Sequence, residues 1–361
     1  MKRRIVSLLP WFTALVLFLW VLNVVPVTET WAVLSRLTLE QIVVLLLLNV
    51  LVLLALNGRW WLILRGQGYP VPFLRLMAHR LAAFGVSYIT PGPHFGGEPV
   101  QVLLVEREHS VPRPAAVAAV TLDKTLELLV NFTFLAAGVA VILEGRILRQ
   151  VVQGEAAVLA LLFLAFPAAF LLAIWLGYHP VSKPVSLLIR LPFLKRNPAY
   201  QRAHQALLES EAQATRFCRQ APLALAQAWG VSVMGWLALI AEYWLMLNFL
   251  GLPLTPVQVI AMLTAARVAI LLPLPGALGT LEASQVLVLS LMGLNPAAGI
   301  GISLLIRTRD VMLAGTGLWW GGKRLRTGRR YTTELLSGRR PLAQSILFTR
   351  SISREEETNH E

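Results

Sequence analysis

The chain has 361 residues, of which 56% are hydrophobic and 14% charged, with a formal charge of +13 and a mean hydropathy of +0.65. Soluble domains average about 45–50% apolar and about 25% charged residues, so this composition excludes an ordinary soluble enzyme and a disordered chain. A polytopic membrane protein remains, and because the apolar runs are continuous rather than alternating, an all-α architecture is expected and not a barrel.

Taken in order, the chain opens on Lys2-Arg3-Arg4 and an apolar run from Ile5 to Pro26. The run exceeds the roughly 7–15 residues of a signal-peptide core and is followed by Thr28-Glu29-Thr30-Trp31, which is no cleavage site, so it is read as a retained first span. Further runs of spanning length, roughly 20 residues each, lie at 39–57, 114–143, 156–177, 222–250 and 296–320. Two apolar stretches, 76–109 and 256–293, are each split by proline and glycine into halves too short to span. They are expected to form re-entrant, broken-helix hairpins, giving six spans and two hairpins in all. The loop 178–221 is polar and basic, and residues 200–217 are expected to form a helix on the membrane surface.

With the N-terminus inside, cytoplasmic segments hold 25 of the 32 lysines and arginines, outer loops hold three, and four lie in membrane segments. The positive-inside rule favours this arrangement with both termini cytoplasmic. It accounts for the charge as orientation and attraction to anionic lipid, so no nucleic-acid partner is expected. Cys218 is the single cysteine, which excludes an intrachain disulfide, and no metal site or cofactor is expected.

The two split stretches resemble each other. One reads Pro91-Gly92-Pro-His-Phe-Gly96-Gly97-Glu98 and the other Pro275-Gly276-Ala-Leu-Gly279-Thr-Leu-Glu282. Each sets a glutamate seven residues after the proline, at the start of the second half-helix. Twenty-five residues beyond these glutamates come Asp123 and Arg307, within the clusters Asp123-Lys124-Thr-Leu-Glu127 and Arg307-Thr-Arg309-Asp310. The blocks 39–143 and 222–320 would then be inverted repeats of the kind transporters use to build a midplane site. Proline and glycine break each helix, and the freed N–H groups are expected to receive an anion, with the glycines allowing a phosphate close to the backbone. Ionisable residues at membrane depth read as functional. Glu98, Asp123, Lys124, Glu127, Glu282, Arg307, Arg309, Asp310 and Arg267 are therefore the candidate substrate-binding residues. Glu98, Asp123, Lys124, Glu282 and Arg307 are expected to converge on one cavity. Arg307 and Asp310, spaced i, i+3, could pair, as could Arg267 and Glu242. The plainer alternative is that the two glutamates only cap their helices and that the ion pairs are structural. His94 sits in the first break, where a hydrogen-bonding role is the default. No triad, zinc motif or nucleotide loop appears, so no catalytic residue is assigned.

Gly97-Glu98, Asp123-Lys124-Glu127 and the run Pro273 to Glu282 resemble the motifs of the lysylphosphatidylglycerol synthase transmembrane family, and the resemblance extends over about residues 5–325. Gln101 and Lys124 stand where that family usually has arginine. The resemblance implies a flippase-like membrane domain over 1–325, standing alone without the soluble aminoacyl-transferase domain, and a tail over 326–361, basic then acidic and expected to be disordered. It implies translocation of an anionic or zwitterionic lipid headgroup between leaflets of a prokaryotic plasma membrane. The bilayer and its lipid are the expected partners. A homo-oligomer and a separate synthase or glycosyltransferase are both compatible with it. Two other readings fit the residues: a coupled transporter of a small polar solute, and a membrane-embedded transferase or accessory subunit of lipid or glycan modification.

Overall fold

The computed structural model describes residues 35, 37–90, 96–145, 153–189 and 198–336. The expected first span at 5–26, together with Pro91, Gly92 and His94, lies outside them, as does the tail from 337. The described residues are helical, with no strand among them.

Helix α1 (Leu39–Gly66) starts at a capping box, in which the Thr38 hydroxyl accepts from the Gln41 N–H and the Gln41 side chain accepts from the Thr38 N–H at 3.0 Å. It runs well past the expected end at 57, because Arg59 and Arg65 continue the helix rather than begin a loop. The stretch 76–109 forms α2 (Phe73–Ile89) and α3 (Glu98–His109), with the break between them. Helix α4 (Arg113–Glu144) enters through Pro114 in its first turn, where a missing N–H costs nothing. Helix α5 (Gly154–Leu176) keeps Pro167 inside it and ends at Gly177 with a positive φ of 79°.

The loop 178–221 contributes α6 (Ser182–Ile189) and α7 (Pro198–Gln220). Helix α7 does more than lie on a surface, because Ala214, Phe217 and Cys218 are buried in the same core as Trp60 and Leu122. Its Glu211 carboxylate accepts the Val181 N–H at 2.7 Å and the Ser182 hydroxyl, tying the start of α6 to it. Helices α8 (Pro222–Phe249), α9 (Pro256–Leu271), α10 (Thr280–Leu291) and α11 (Ala297–Leu336) complete the chain, with a tight turn at Pro275–Ala277 between α9 and α10. Helix α11 continues past 325, so the first part of the expected tail is helical.

Among the described residues four helices, α1, α4, α5 and α8, are long and apolar enough to cross a membrane. Helix α11, which contains the run 296–320, has the length, but Arg307, Arg309 and Asp310 interrupt its apolar stretch. Exposed leucine, valine and phenylalanine cover α5 and the first half of α1, as expected of a lipid-facing surface. The principal packing pairs are α1 on α8, α2 on α11, α4 on α5 and α7, and α4 on α9. Close approach needs glycine: a Cβ on Gly317 of α11 would lie 1.9 Å from the Leu81 carbonyl of α2, and one on Gly138 of α4 would lie 2.2 Å from the Thr264 hydroxyl of α9.

Candidate functional site: a charged cavity between the two halves

In the first half, α4 brings Asp123, Lys124 and Glu127 onto one face, as the i, i+4 spacing predicts. Two of their partners, Arg59 and Arg80, fall in the stretch 58–80, whose four arginines count in sequence among the cytoplasmic basic residues. Arg59 of α1 is fully buried and donates from Nε to Asp123 Oδ1 at 2.6 Å and from Nη2 to Glu127 Oε2 at 3.0 Å. Arg80 of α2 donates to Asp123 Oδ2 at 2.7 Å, with its guanidinium 5.5 Å from the centre of the Trp60 ring. Lys124 Nζ donates to Glu127 Oε1 at 2.9 Å and lies 3.6 Å from Glu98 Oε1. Three cations thus face three carboxylates. That balance repays the desolvation of charges which would be prohibitive singly.

The second half pairs its charges differently from expectation. Arg307 bonds both carboxylate oxygens of Glu282 and also donates to the carbonyls of Gly276 at 3.1 Å and Ala277 at 2.9 Å. Arg309, rather than Arg307, holds Asp310, and it also donates to Glu242 Oε1 at 2.9 Å. Glu242 therefore belongs to Arg309 and not to Arg267. The Arg267 guanidinium lies 4.8 Å from the centre of the Trp236 ring, and its buried Nε has no hydrogen-bond partner among the described residues.

Three of the backbone N–H groups at the breaks are answered by the chain itself. Gly96 N–H donates to Glu98 Oε2 at 2.7 Å, Gly97 N–H to Ser87 Oγ at 2.9 Å, and Gly279 N–H to Glu282 Oε2 at 3.0 Å. These N–H groups, expected to receive an anion, are capped, because leaving them bare in a dry site would cost more than a local carboxylate does. The glycines serve chain packing: a Cβ on Gly97 would lie 2.1 Å from the Ala83 carbonyl, and one on Gly276, at φ +54°, would lie 3.0 Å from the Tyr88 ring.

A cavity of about 300 Å³ lies between the halves. Of the sequence candidates, Glu98, Asp123, Lys124, Glu127, Arg267, Arg309 and Asp310 line it, and so does Gly97. Glu282, Arg307, Gly276 and Gly279 are not in its wall, since Arg307 spends its donors on the turn beside it. Sequence reading missed Arg59 and Arg80, as well as Asn49 and Asn131, which join the lining from α1 and α4. The available signal was the polar series Asn49, Asn57 and Arg59 inside one long apolar helix. A second cleft of about 280 Å³, walled by Thr121, Thr125, Phe166, Pro167 and Phe170, meets the cavity at Glu98, Lys124, Val120 and Leu128. Its wall is almost wholly apolar and runs between α4 and α5.

The model of the lysylphosphatidylglycerol synthase TM region matches residues 5–315. The chain belongs to this family. A UPF0104 membrane protein of Methanocaldococcus jannaschii is 21% identical over 281 residues, covering 76% of this chain and 81% of that protein. No solved structure matches the chain. Membership of a membrane family and the long apolar helices together make this a membrane-embedded protein.

Proposed function

We propose that this family member is a lipid flippase that moves an anionic or zwitterionic headgroup between leaflets of the plasma membrane while the acyl chains stay in the bilayer. The observation that carries the reading is the meeting of a charged cavity and an apolar cleft at Glu98 and Lys124. A lipid has this same division into a polar head and an apolar tail. A small polar solute gives no use to a hydrocarbon-walled cleft that opens on its site. A transferase would want an uncommitted general base, whereas Asp123 and Glu127 each accept from two cations. Arg267 supplies the cationic donor that no carboxylate occupies, so the lipid phosphate docks on it and on Lys124, and a cationic headgroup moiety faces Glu98.

The same reading places both termini in the cytoplasm and takes α2–α3 and α9–α10 as re-entrant hairpins of an inverted repeat, with the run at 5–26 and α11 as the additional spans. A shift of 184 residues carries Glu98 onto Glu282, and the packing supports the repeat. Exchanging the halves turns α2 on α11 into α9 on α4, turns α2 on α3 into α9 on α10, and leaves α1 on α8 unchanged. Burial of Arg59 and Arg80 removes two residues from the cytoplasmic basic set and leaves the asymmetry heavily one-sided.

Reconstitution into liposomes with headgroup-labelled phospholipid, followed by quenching of the outer leaflet, tests the proposal. The wild type should speed loss of the protected signal, and Leu128→Trp, which fills the cleft, should slow it. Vesicles that behave as protein-free vesicles do across anionic and zwitterionic lipids would overturn the reading.

A further inference from the structure

Outside the cavity, α2 and α3 bring three potential metal ligands together. His79 Nε2 faces His109 Nε2 at 3.1 Å, and Glu108 Oε2 lies 3.7 Å from His79 Nε2. The ligand atoms of the three residues all fall within 4.8 Å of one another. His79 is wholly buried, while Glu108 and His109 reach the surface at the last turn of α3.

We propose that His79, Glu108 and His109 form a site for a divalent transition metal, with zinc the best fit, and that the metal staples the two legs of the first broken-helix pair. Two ligands at about 2.05 Å from a tetrahedral zinc lie about 3.3 Å apart, a value bracketed by the 3.1 and 3.7 Å separations seen here. Two imidazoles and one carboxylate form a mixed nitrogen–oxygen set of the kind zinc accepts, with water as the fourth ligand. The facing Nε2 atoms add a reason of their own. Two neutral imidazoles set Nε2 to Nε2 can share one proton at most, whereas a metal engages both lone pairs and both rings can then be neutral. The partly exposed Glu108 provides the route from solvent.

The site explains how the first half holds its break. His79 precedes Arg80, which grips Asp123, so a metal between α2 and the end of α3 fixes the register of that grip. Under the shift that relates the halves, His79 falls on Leu263 and Glu108 on Met292, which pack in an apolar core. One half would be pinned by hydrocarbon and the other by a metal. The inference does not depend on what crosses the cavity.

Full-length protein purified in detergent, stripped with chelator and dialysed against zinc chloride, should retain a single zinc equivalent by elemental analysis. Its melting temperature should rise with zinc concentration, as mass action requires. His109→Asn and Glu108→Gln should each weaken zinc binding by more than the roughly 10–100-fold that loss of an outer-shell partner costs. His204→Asn, in α7, should leave it unchanged. Cobalt in place of zinc should give the ligand-field bands of a four-coordinate site, and these should vanish in His109→Asn. Wild-type protein that retains substoichiometric zinc overturns the site, and so does zinc held equally well by His109→Asn. Because the wild-type measurement decides on its own, a poorly folded variant does not shelter the proposal.

Discussion

The two broken-helix pairs use one motif to different ends. In the first, Glu98 caps Gly96 and turns its other oxygen toward Lys124 in the cavity wall, with a quarter of its side chain exposed. In the second, Glu282 caps Gly279 but is buried and gripped through both oxygens by Arg307, which also ties down the carbonyls at Gly276 and Ala277. The charges are also exchanged between partners. In the first half the cation is Arg59 on α1 and the acids are on α4, while in the second the acid is Glu242 on α8 and its cation, Arg309, is on α11. The lesson is that a shared pattern, Pro-Gly with a glutamate seven residues after the proline, marks the break and leaves the use of the glutamate to its neighbours. The first glutamate faces the cavity and the second is locked by Arg307.

The largest effect should come from unlocking the second break. Arg307→Ala leaves Glu282 as an uncompensated buried charge and frees two carbonyls, so a loss of about 3–5 kcal/mol is expected. This differs from the sequence expectation, which set Arg307 among the substrate-binding residues of one cavity. Thermal unfolding in detergent should show the drop, and Glu282→Gln in the same chain should recover part of it by removing the stranded charge. In the first half, Lys124→Ala should cost less, about 1.5–3 kcal/mol, since Glu127 keeps Arg59 and Glu98 keeps the Gly96 N–H. Equal losses at the two sites would erase the distinction between a cavity-facing and a locked glutamate.

That contrast also marks what the sequence could reveal. Composition and run length identified the membrane class and the helices α1, α4, α5 and α8, because apolar length is a local property. The interruption of each split stretch was legible for the same reason, as was the shared face of Asp123 and Glu127. Partnership is not local. Arg59 and Arg80 looked like cytoplasmic charge because nothing near them in sequence is acidic, and their carboxylate, Asp123, lies 64 and 43 residues away. Arg307 looked like a ligand-binding residue because only the folded turn reveals the two carbonyls it holds. The histidine pair was missed because positions 79 and 109 match no metal-binding spacing and meet only when α2 packs on α3.

Helix packing gives the next effect. The α2–α11 contact places the Leu81 backbone carbonyl against Gly317, while the exchanged contact, α4–α9, places a hydroxyl against Gly138. A backbone atom cannot move aside and a side chain can. Gly317→Ala should therefore destabilise by about 3 kcal/mol, and Gly138→Ala by about 1–2 kcal/mol. Unfolding midpoints of the two variants compare them directly. A larger loss at Gly138 would mean that the α4–α9 contact is the tighter of the two.

A smaller effect on stability, but a clear one on transport, is expected at Arg267. Its Nε makes no hydrogen bond, and its guanidinium rests on Trp236 rather than on an acid. Arg267→Gln keeps polarity and most of the volume while removing the charge. Lipid movement in the liposome assay should fall about tenfold or more, the loss of one charge-assisted contact, with the melting temperature nearly unchanged. Arg267→Lys should retain part of the rate as a point charge without the planar fork. Unaltered transport in Arg267→Gln would move the headgroup site elsewhere in the cavity.

Single cysteines in four exposed turns perturb the protein least and test the comparison most directly. Pro70 and Ser110 flank the first broken pair, and Pro253 and Asn295 flank the second at equivalent places. If the halves are inverted, Pro70→Cys and Ser110→Cys react from the cytoplasmic side with a membrane-impermeant maleimide, and Pro253→Cys and Asn295→Cys from the opposite side. The background is low without any further change. Cys218 is buried against α4 and α8, and burial pushes its thiol up to about 11, so little of it is the reactive thiolate near neutral pH. Labelling of the wild type should rise only as the pH approaches that value, while the four introduced thiols react near pH 7.5 because they lie in open turns. Accessibility of all four from one side would make the repeats parallel. A split between the two members of either pair would turn that hairpin into a span, because its two ends would then lie on opposite faces of the bilayer.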